Sequence, residues 1–499
     1  MLRKHHAPTS TRSRPVYTLG GVSNLSRHIV VHAAVRDHEW FAPPEPLPHI
    51  GPIHPAIIEG RGRGVVASQA LSAGDLLLCV PPVAFLPSQP GSPRADGEAL
   101  VDLVIAQRLY TRSWFSALTD GQPSTPGTQP MLPNLDMAAD DTHSLPCRFL
   151  TPHRVTQPVT SLSSTASSKA AGFGPAAATP RSKKTIKVKK AGSRVLNGAS
   201  SSEQRLNPDN LDKATQHNLA MTIKLNCYGD NHEDLALCEL RGEAARGHLG
   251  VWGPFALLNH SCAPNAINMV CGSSMVVRAA RPIAAGEEVT ISYLGRPQLQ
   301  PATVRRARLL EDYGFECSCP RCVNELELDQ SGKVGAELVK EVVQAVETKL
   351  RPQFLVAKEE GDREEMQVLL DQLRAWSHTL VRQLRKAFVS PVPRLHLQAS
   401  LYEAAELQMD IEEQLGLAED RSFTLSSIVK AIEVVSPGSD LHVILAAQHL
   451  AAVVNLQASD TGDEQRAQQA AIAACTARYG LVRDTTLEEL IRLNQKLYT

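Results

Sequence analysis

Three cysteines crowd into six residues, Cys317-Ser318-Cys319-Pro320-Arg321-Cys322. Thiols at this C-x-C-x2-C spacing are soft ligands for tetrahedral zinc, and a closed zinc site takes four. No cysteine or histidine follows within a finger's span, so the fourth ligand must come from a distant segment. Cys262 is the leading candidate, in the turn-prone run Asn259-His260-Ser261-Cys262-Ala263-Pro264-Asn265 that follows apolar Leu257-Leu258; His260 is the alternative. Such a closure ties 317–322 back onto 259–265 and makes local folding depend on metal. Between these ends, Ala279–Tyr293 reads as strand, tight turn, strand. The expectation is that the two ends meet and close a site over Tyr293.

The rest of the composition excludes more than it selects. Lys+Arg 51 against Asp+Glu 52 leaves a net charge of -1 over 499 residues. No global field draws nucleic acid or an anionic membrane, and aromatics, at 4%, are few for base stacking. A zinc-knuckle nucleic-acid binder is therefore disfavoured. No window of about 20 apolar residues predicts a membrane span. The remaining cysteines are isolated, several in apolar runs where a reduced thiol acts as a small hydrophobe, which implies a reducing compartment.

Residues 1–36 hold no Asp or Glu but carry Arg3, Lys4, Arg12, Arg14, Arg27 and Arg36. This resembles an organellar transit peptide; an ordinary basic tail has the same composition. Order is expected from about Ile53. Ala56-Ile57-Ile58, the turn Glu59-Gly60-Arg61-Gly62-Arg63-Gly64 and Val65-Val66-Ala67 predict a glycine-rich hairpin. The G-x-G-x-G run lacks the spacing and following helix of a dinucleotide site. Leu71-Ser72-Ala73-Gly74-Asp75 and Ile283-Ala284-Ala285-Gly286-Glu287 share one pattern, suggesting two similar hairpins of a β-rich domain. A helix is predicted over 98–119. Residues 121–205, rich in Ser, Thr, Pro and Ala, are predicted to be disordered. Within them Arg181–Lys190 is a basic run, either a nuclear signal or a solvated linker cluster. The two basic segments leave the compartment open between nucleus or cytoplasm and an organelle. Asp209 or Asn210 caps a predicted helix to about Leu225, stopped near Gly229.

A basic helix is predicted over Thr303–Asp312, and helices follow at about 333–350, 361–389, 394–415, 422–435, 439–457, 462–479 and 485–498. In the fifth of these, Val443, Ala447, Leu450 and Val454 form one apolar stripe. His248 reads as a loop residue. Glu287 and Glu288 look like an acid/base pair, but adjacent strand residues point to opposite faces; they read as turn and surface residues.

Taken together, Gly60–Ala67, Asn226-Cys227-Tyr228-Gly229, Gly250-Val251-Trp252, Leu258–Asn265, Gly286–Tyr293 and Tyr313–Cys322 resemble, in order and spacing, the motifs of a SET-domain protein-lysine methyltransferase. The SET-and-MYND branch, with a split SET domain and a helical C-terminal domain, is the most similar. One departure stands out: 121–205 contain only Cys147, so the MYND zinc finger is lacking, and any peptide-docking role it has in relatives is not carried over. The resemblance implies an α+β fold: a β-rich SET domain with a threaded-loop (pseudoknot) core and a post-SET zinc site, plus an all-α, TPR-like C-terminal domain. The segments would be 1–50 (N-terminus), 53–120 (first SET part), 121–205 (insert), 206–300 (second SET part), 301–328 (post-SET) and 330–499 (helical). The helical domain would form one wall of a substrate cleft, or only stabilise the SET domain.

The same resemblance implies S-adenosyl-L-methionine as methyl donor, structural Zn2+, and a lysine-bearing protein substrate, histone or not. Tyr293 and Tyr313 would be catalytic. Arg61, Gly62, Arg63, Asn226, Asn259, His260 and Phe315 would bind the cofactor, with Tyr228 as the alternative to Asn226. Cys262, Cys317, Cys319 and Cys322 would hold the metal. Histidine is the usual general base near neutrality, but His260 is implied to have a structural and adenine-contacting role. No membrane or strong nucleic-acid partner and a monomeric state are expected. The reading from another class is a catalytically silent SET/helical adaptor that binds proteins.

Overall fold

A computed structural model describes residues 48–118, 211–330, 335–388, 390–456 and 461–497. The predicted transit-like N-terminus, the insert and the basic run at 181–190 lie outside the described residues.

The central element is a four-stranded sheet, ordered β1 (His49–Ile50), β4 (Leu76–Val80), β10 (Ser274–Ala279) and β9 (Ala266–Cys271). All pairs are antiparallel. The runs Leu-Leu-Leu-Cys-Val and Met-Val-Val are apolar on both faces, as a strand covered on both sides requires. Their alternation divides two cores. Leu78, Val80, Val270, Met275 and Val277 face the β-rich side. Cys79, Met269, Cys271 and Val276 face the C-terminal helices, packed with Val443, Ala447, Leu450 and Cys475. Three members of the predicted apolar stripe are thus buried against this sheet. Burying a Val or Leu side chain contributes ~1.5–3 kcal/mol, so this sheet face is what seats the helical region.

Around it lie three smaller pairings. β2 (Ile53–Ile58) and β3 (Gly62–Ala67) form the glycine-turn hairpin. β5 (Ala84–Pro87), β7 (His248–Val251) and β6 (Cys227–Asp230) form an antiparallel sheet in the order β5-β7-β6. β8 (Asn259–His260) pairs in parallel with β11 (Thr290–Ile291). The two repeated Ala-Gly-acid turns are joined directly: Leu71 and Ile283 bridge to each other.

Several expectations from sequence are corrected. The helix predicted over 98–119 is helix Gly97–Ala106, followed by a short turn and Ser113–Ala117; Arg108, at φ 54, breaks it. The helix Lys213–Asn226, capped by the Asp212 carboxylate on Thr215 N, runs straight into β6. Gly229 is therefore a strand residue: a Cβ there would lie 2.4 Å from His248 O, so close strand approach, not helix termination, demands glycine. His248 belongs to β7 and is buried.

Helix Arg351–Glu360 falls between the helices expected at 333–350 and 361–389 and was not expected. Pro352 is its second residue, within the first turn where proline is tolerated, and a π turn at Val346–Leu350 leads into it. The helix expected at 394–415 is two, Pro391–Ala399 and Tyr402–Leu415. Among the described residues no helix is long and apolar enough to cross a membrane.

Candidate active site and thiol cluster

The sulfurs of Cys262, Cys317, Cys319 and Cys322 all lie within 4.8 Å of one another, and all four residues are buried. Cys262 Sγ is 3.9 Å from Cys317 Sγ and 3.6 Å from Cys322 Sγ. Four sulfurs about 2.3 Å from a tetrahedral zinc would stand roughly 3.8 Å apart, so the set fits that ion. The S–H groups of Cys262, Cys319 and Cys322 hold the Cys317 thiol below its usual range. His260, the alternative fourth ligand, instead places Nε2 3.2 Å from Cys262 Sγ while its Nδ1 accepts from Tyr293 N at 3.0 Å.

Behind the cluster is a buried ionic network that the sequence did not announce. Glu325 is met by Arg305 (3.1 Å) and Arg321 (2.9 Å), both guanidiniums being fully enclosed. Burial opposes the Arg305 charge most strongly, but Glu325, Cys262 and Cys322 together outweigh it and hold the group protonated. Arg321 is lowered by burial and by Arg305 beside it. Arg321 also donates to Cys262 O (3.0 Å), Gln298 O (2.8 Å) and Ser400 Oγ (2.9 Å). The thiol cluster is thereby fastened to the helical region at Ser400, between helices Pro391–Ala399 and Tyr402–Leu415.

The 259–265 segment is gripped from both sides. Asn259 Nδ2 donates to Arg63 O (2.9 Å) and Glu288 Oε1 (2.8 Å). Asn265 donates to Glu288 O (2.8 Å), and its own Oδ1 accepts from Thr290 N (2.8 Å). Arg61 pairs with Glu288 at 2.5 Å and also donates to His260 O. Glu288 is therefore no surface residue, since its side chain is only 15% exposed. Glu287 does lie at the rim, bonded to Arg281 and Asn265. The two carboxylates take different partners, Arg281 for Glu287 and Arg61 for Glu288.

Tyr293, Tyr313, Phe315 and His260 form one aromatic group. Ring centroids are 4.9 Å apart for Tyr293–Tyr313, 5.3 Å for His260–Tyr293 and 6.1 Å for His260–Phe315. Tyr313 ends helix Ala302–Tyr313, and Gly314, at φ 75, turns the chain so that Phe315 and the cysteines follow at once. The Tyr293 hydroxyl donates to Leu258 O at 2.6 Å. Burial, then the neighbouring Tyr313, pushes the Tyr293 phenol up, and burial does the same to Tyr313. Both are neutral donors at physiological pH, not bases.

These tyrosines lie at a cleft of about 1270 Å³ whose lining includes Tyr228, Asp230, His248, Tyr293, Tyr313 and Asp440. Arg61, Gly62, Arg63, Asn259, His260 and Phe315 are not part of that lining; they stand behind the tyrosines, on the side of β3 and β8. Of the two alternatives, Tyr228 lines the cleft, whereas Asn226 is buried and donates to Thr222 O at 2.7 Å. Sequence reasoning missed the Leu258 carbonyl, Glu288 and the Arg305–Glu325–Arg321 network. Only Glu288 left a signal, as one of two adjacent acids on a strand with just one solvent-facing position.

Residues 62–294 match the SET domain family model. The chain carries a SET domain. Its curated relatives are methyltransferases of the SMYD kind. The chain is 29% identical over 195 residues to histone-lysine N-methyltransferase SMYD3 of Mus musculus and to that of Homo sapiens, a match covering 38% of this chain and 40% of each relative. It is 38% identical over 109 residues to N-lysine methyltransferase SMYD2 of Homo sapiens, covering 21% of this chain and 23% of that protein. The matches thus span two fifths or less of these relatives' length. A solved SET domain of LSMT, bound to lysine and AdoHcy, is 14% identical and covers 84% of this chain and 94% of that one, with a TM-score of 0.24. At that score the likeness carries no argument.

Proposed function

We propose that this chain transfers a methyl group from S-adenosylmethionine to lysine side chains of a protein substrate, with zinc as a structural ion. The carrying observation is Tyr293: a half-buried side chain whose hydroxyl is tied to the Leu258 carbonyl, ringed by Tyr313, His260 and Phe315, and lining a cleft.

A lysine amine, with a free pKa near 10.4, is protonated in water and cannot attack. An aromatic enclosure disfavours its charged form. The Tyr293 proton is committed to Leu258 O, so the phenol oxygen presents its lone pairs and can accept an N–H of the incoming amine. That fixes the direction of the remaining amine lone pair. Alignment is the main demand of a displacement at carbon.

When bound, the methyl donor supplies an electrophilic methyl on a sulfonium. Gly62 suits its cradle: the backbone stands at φ +74 with nothing within 4 Å of a would-be Cβ. Arg61, Arg63, Asn259 and His260 converge beside it, and half-buried Phe315 offers a ring for the adenine. Asn226 would act from the end of its helix. Cys262, Cys317, Cys319 and Cys322 would hold zinc and keep Tyr313 and Phe315 in place. The metal would do no chemistry.

Zinc-loaded protein should bind S-adenosylmethionine in a calorimeter and label a lysine of a histone, ribosomal or enzyme panel. Tyr293→Phe should retain cofactor binding and lose about 10²–10³ in turnover, the usual effect of removing one preorganised polar contact. Absence of cofactor binding by metal-replete protein would sink the proposal.

A further inference from the structure

The cleft wall beside Tyr228 carries polar groups that the transfer itself does not use. Tyr228 and Asp230 lie two apart on β6, and the register pairs them with Gly250 and His248 of β7. All four positions therefore share one face of the sheet, and Tyr228, Asp230 and His248 line the cleft. From the helical region Asp440, at the start of helix Asp440–Asn455, lines it too.

His248 is 2% exposed, and neither ring nitrogen has a hydrogen-bond partner. The Arg246 backbone is near enough to weigh on its titration without making a bond of proper geometry. Burial pushes the imidazole down to about 4, so it stays neutral and leaves one nitrogen to accept. Asp230 accepts only from the adjacent Asn231 N (2.7 Å), and Asp440 only from Leu441 N (2.9 Å). Among the described residues neither carboxylate has an ion-pair partner. Burial raises Asp230, with Asp440 adding repulsion and His232 and Arg94 only partly offsetting it. The nearest guanidinium on the helical side, Arg478, is occupied by Asp234 at 2.6 Å.

Two carboxylates without an ion-pair partner, one from β6 and one from the helical region, line this cleft with a neutral buried acceptor; Arg94, beyond ion-pair distance, is the guanidinium that acts on Asp230 and His248. We propose that Asp230, Asp440 and His248 receive the guanidinium of an arginine that flanks the target lysine in the substrate. Guanidinium fits because its planar fork presents five donors and never loses its charge; an ammonium offers three donors from a single point and no fork. This specificity rests on the methyltransferase reading for its purpose, though the binding site stands without it.

The test uses fluorescent peptides with one central lysine in an Ala/Ser background and a single arginine placed from three residues before it to three after. Binding to the full chain is read by polarisation. One register should bind ~10–100-fold more tightly than its citrulline counterpart, the usual worth of hydrogen bonds to a charged group. The lysine-for-arginine peptide should fall between them. In Asp230→Asn/Asp440→Asn the arginine advantage should disappear, with the melting temperature unchanged as the check on folding. Equal binding of arginine and citrulline in every register, or no binding at all, overturns the inference on the unmutated protein. Cofactor calorimetry separately decides the methyltransferase reading, so the two failures are distinguishable.

Discussion

Replacing Glu325 by alanine should be among the most damaging single changes in the protein. Its carboxylate accepts from Arg305 at 3.1 and 3.2 Å, from Arg321 Nε at 2.9 Å and from Ala302 N at 2.9 Å, with Ser400 Oγ at 3.4 Å. Both guanidiniums are 0% exposed. Removing the acid leaves two buried cations side by side, with only the thiol cluster, 3.5 Å from Arg305 at Cys322 Sγ, to offset them. Breaking one partner out of a buried ion pair costs about 3–5 kcal/mol; here two arginines share the loss, so the upper end is expected.

Urea unfolding of the zinc-loaded protein, read by far-UV circular dichroism, should show that loss in the midpoint. Glu316→Ala serves as control. It removes the partner of Arg306 on the surface, where both side chains are substantially exposed, and exposed pairs contribute about 0–1 kcal/mol. A loss below about 1 kcal/mol for Glu325→Ala would mean that water reaches the guanidiniums, and the account of a dry clamp between thiol cluster and helices would fail.

Further expectations follow from other contacts. Cys319→Ser should lower bound zinc, measured by a colorimetric chelator on unfolded protein, and weaken cofactor affinity with it; full metal content and affinity would refute the coupling. Gly64→Ala should destabilise by about 1–3 kcal/mol as an overpacked site, because its Cβ would lie 2.6 Å from Ile58 Cγ1 and 2.9 Å from Asn259 Nδ2, which thermal melting would register. His442 is buried, and burial alone pushes its imidazole down to about 4 from an ordinary 6.5. Its folded form thus resists a proton that the unfolded chain takes up below about pH 6.5, so stability should fall by up to about 1.4 kcal/mol per pH unit between roughly pH 6 and 4. Gln in its place, which can still accept from Gly438 N, should flatten that part of the pH profile.

Much of the site was legible in the sequence because its parts are local patterns. A C-x-C-x2-C run, an Asn-His-Ser-Cys loop and a Gly-Glu-Glu strand carry their chemistry within a few residues each. The helical stripe of Val443, Ala447 and Leu450 was legible for the same reason, since periodicity is a short-range property. What failed were features set by neighbours far along the chain. Gly229 looked like a helix stop because glycine is common there, but the close approach of His248 O determines it. Glu288 looked superficial because its partner, Arg61, lies 227 residues away.

The sequence by itself determined the C-x-C-x2-C run, the tyrosines and the order of the elements that carry them. Tertiary structure alone decided how these are wired. It placed the Tyr293 hydroxyl on the Leu258 carbonyl, set Glu325 between two buried arginines and left Asp230, Asp440 and His248 facing one cleft. The physical reason is that backbone pattern is encoded by nearest neighbours. Desolvation and charge compensation are not: they depend on which distant groups happen to share a buried volume.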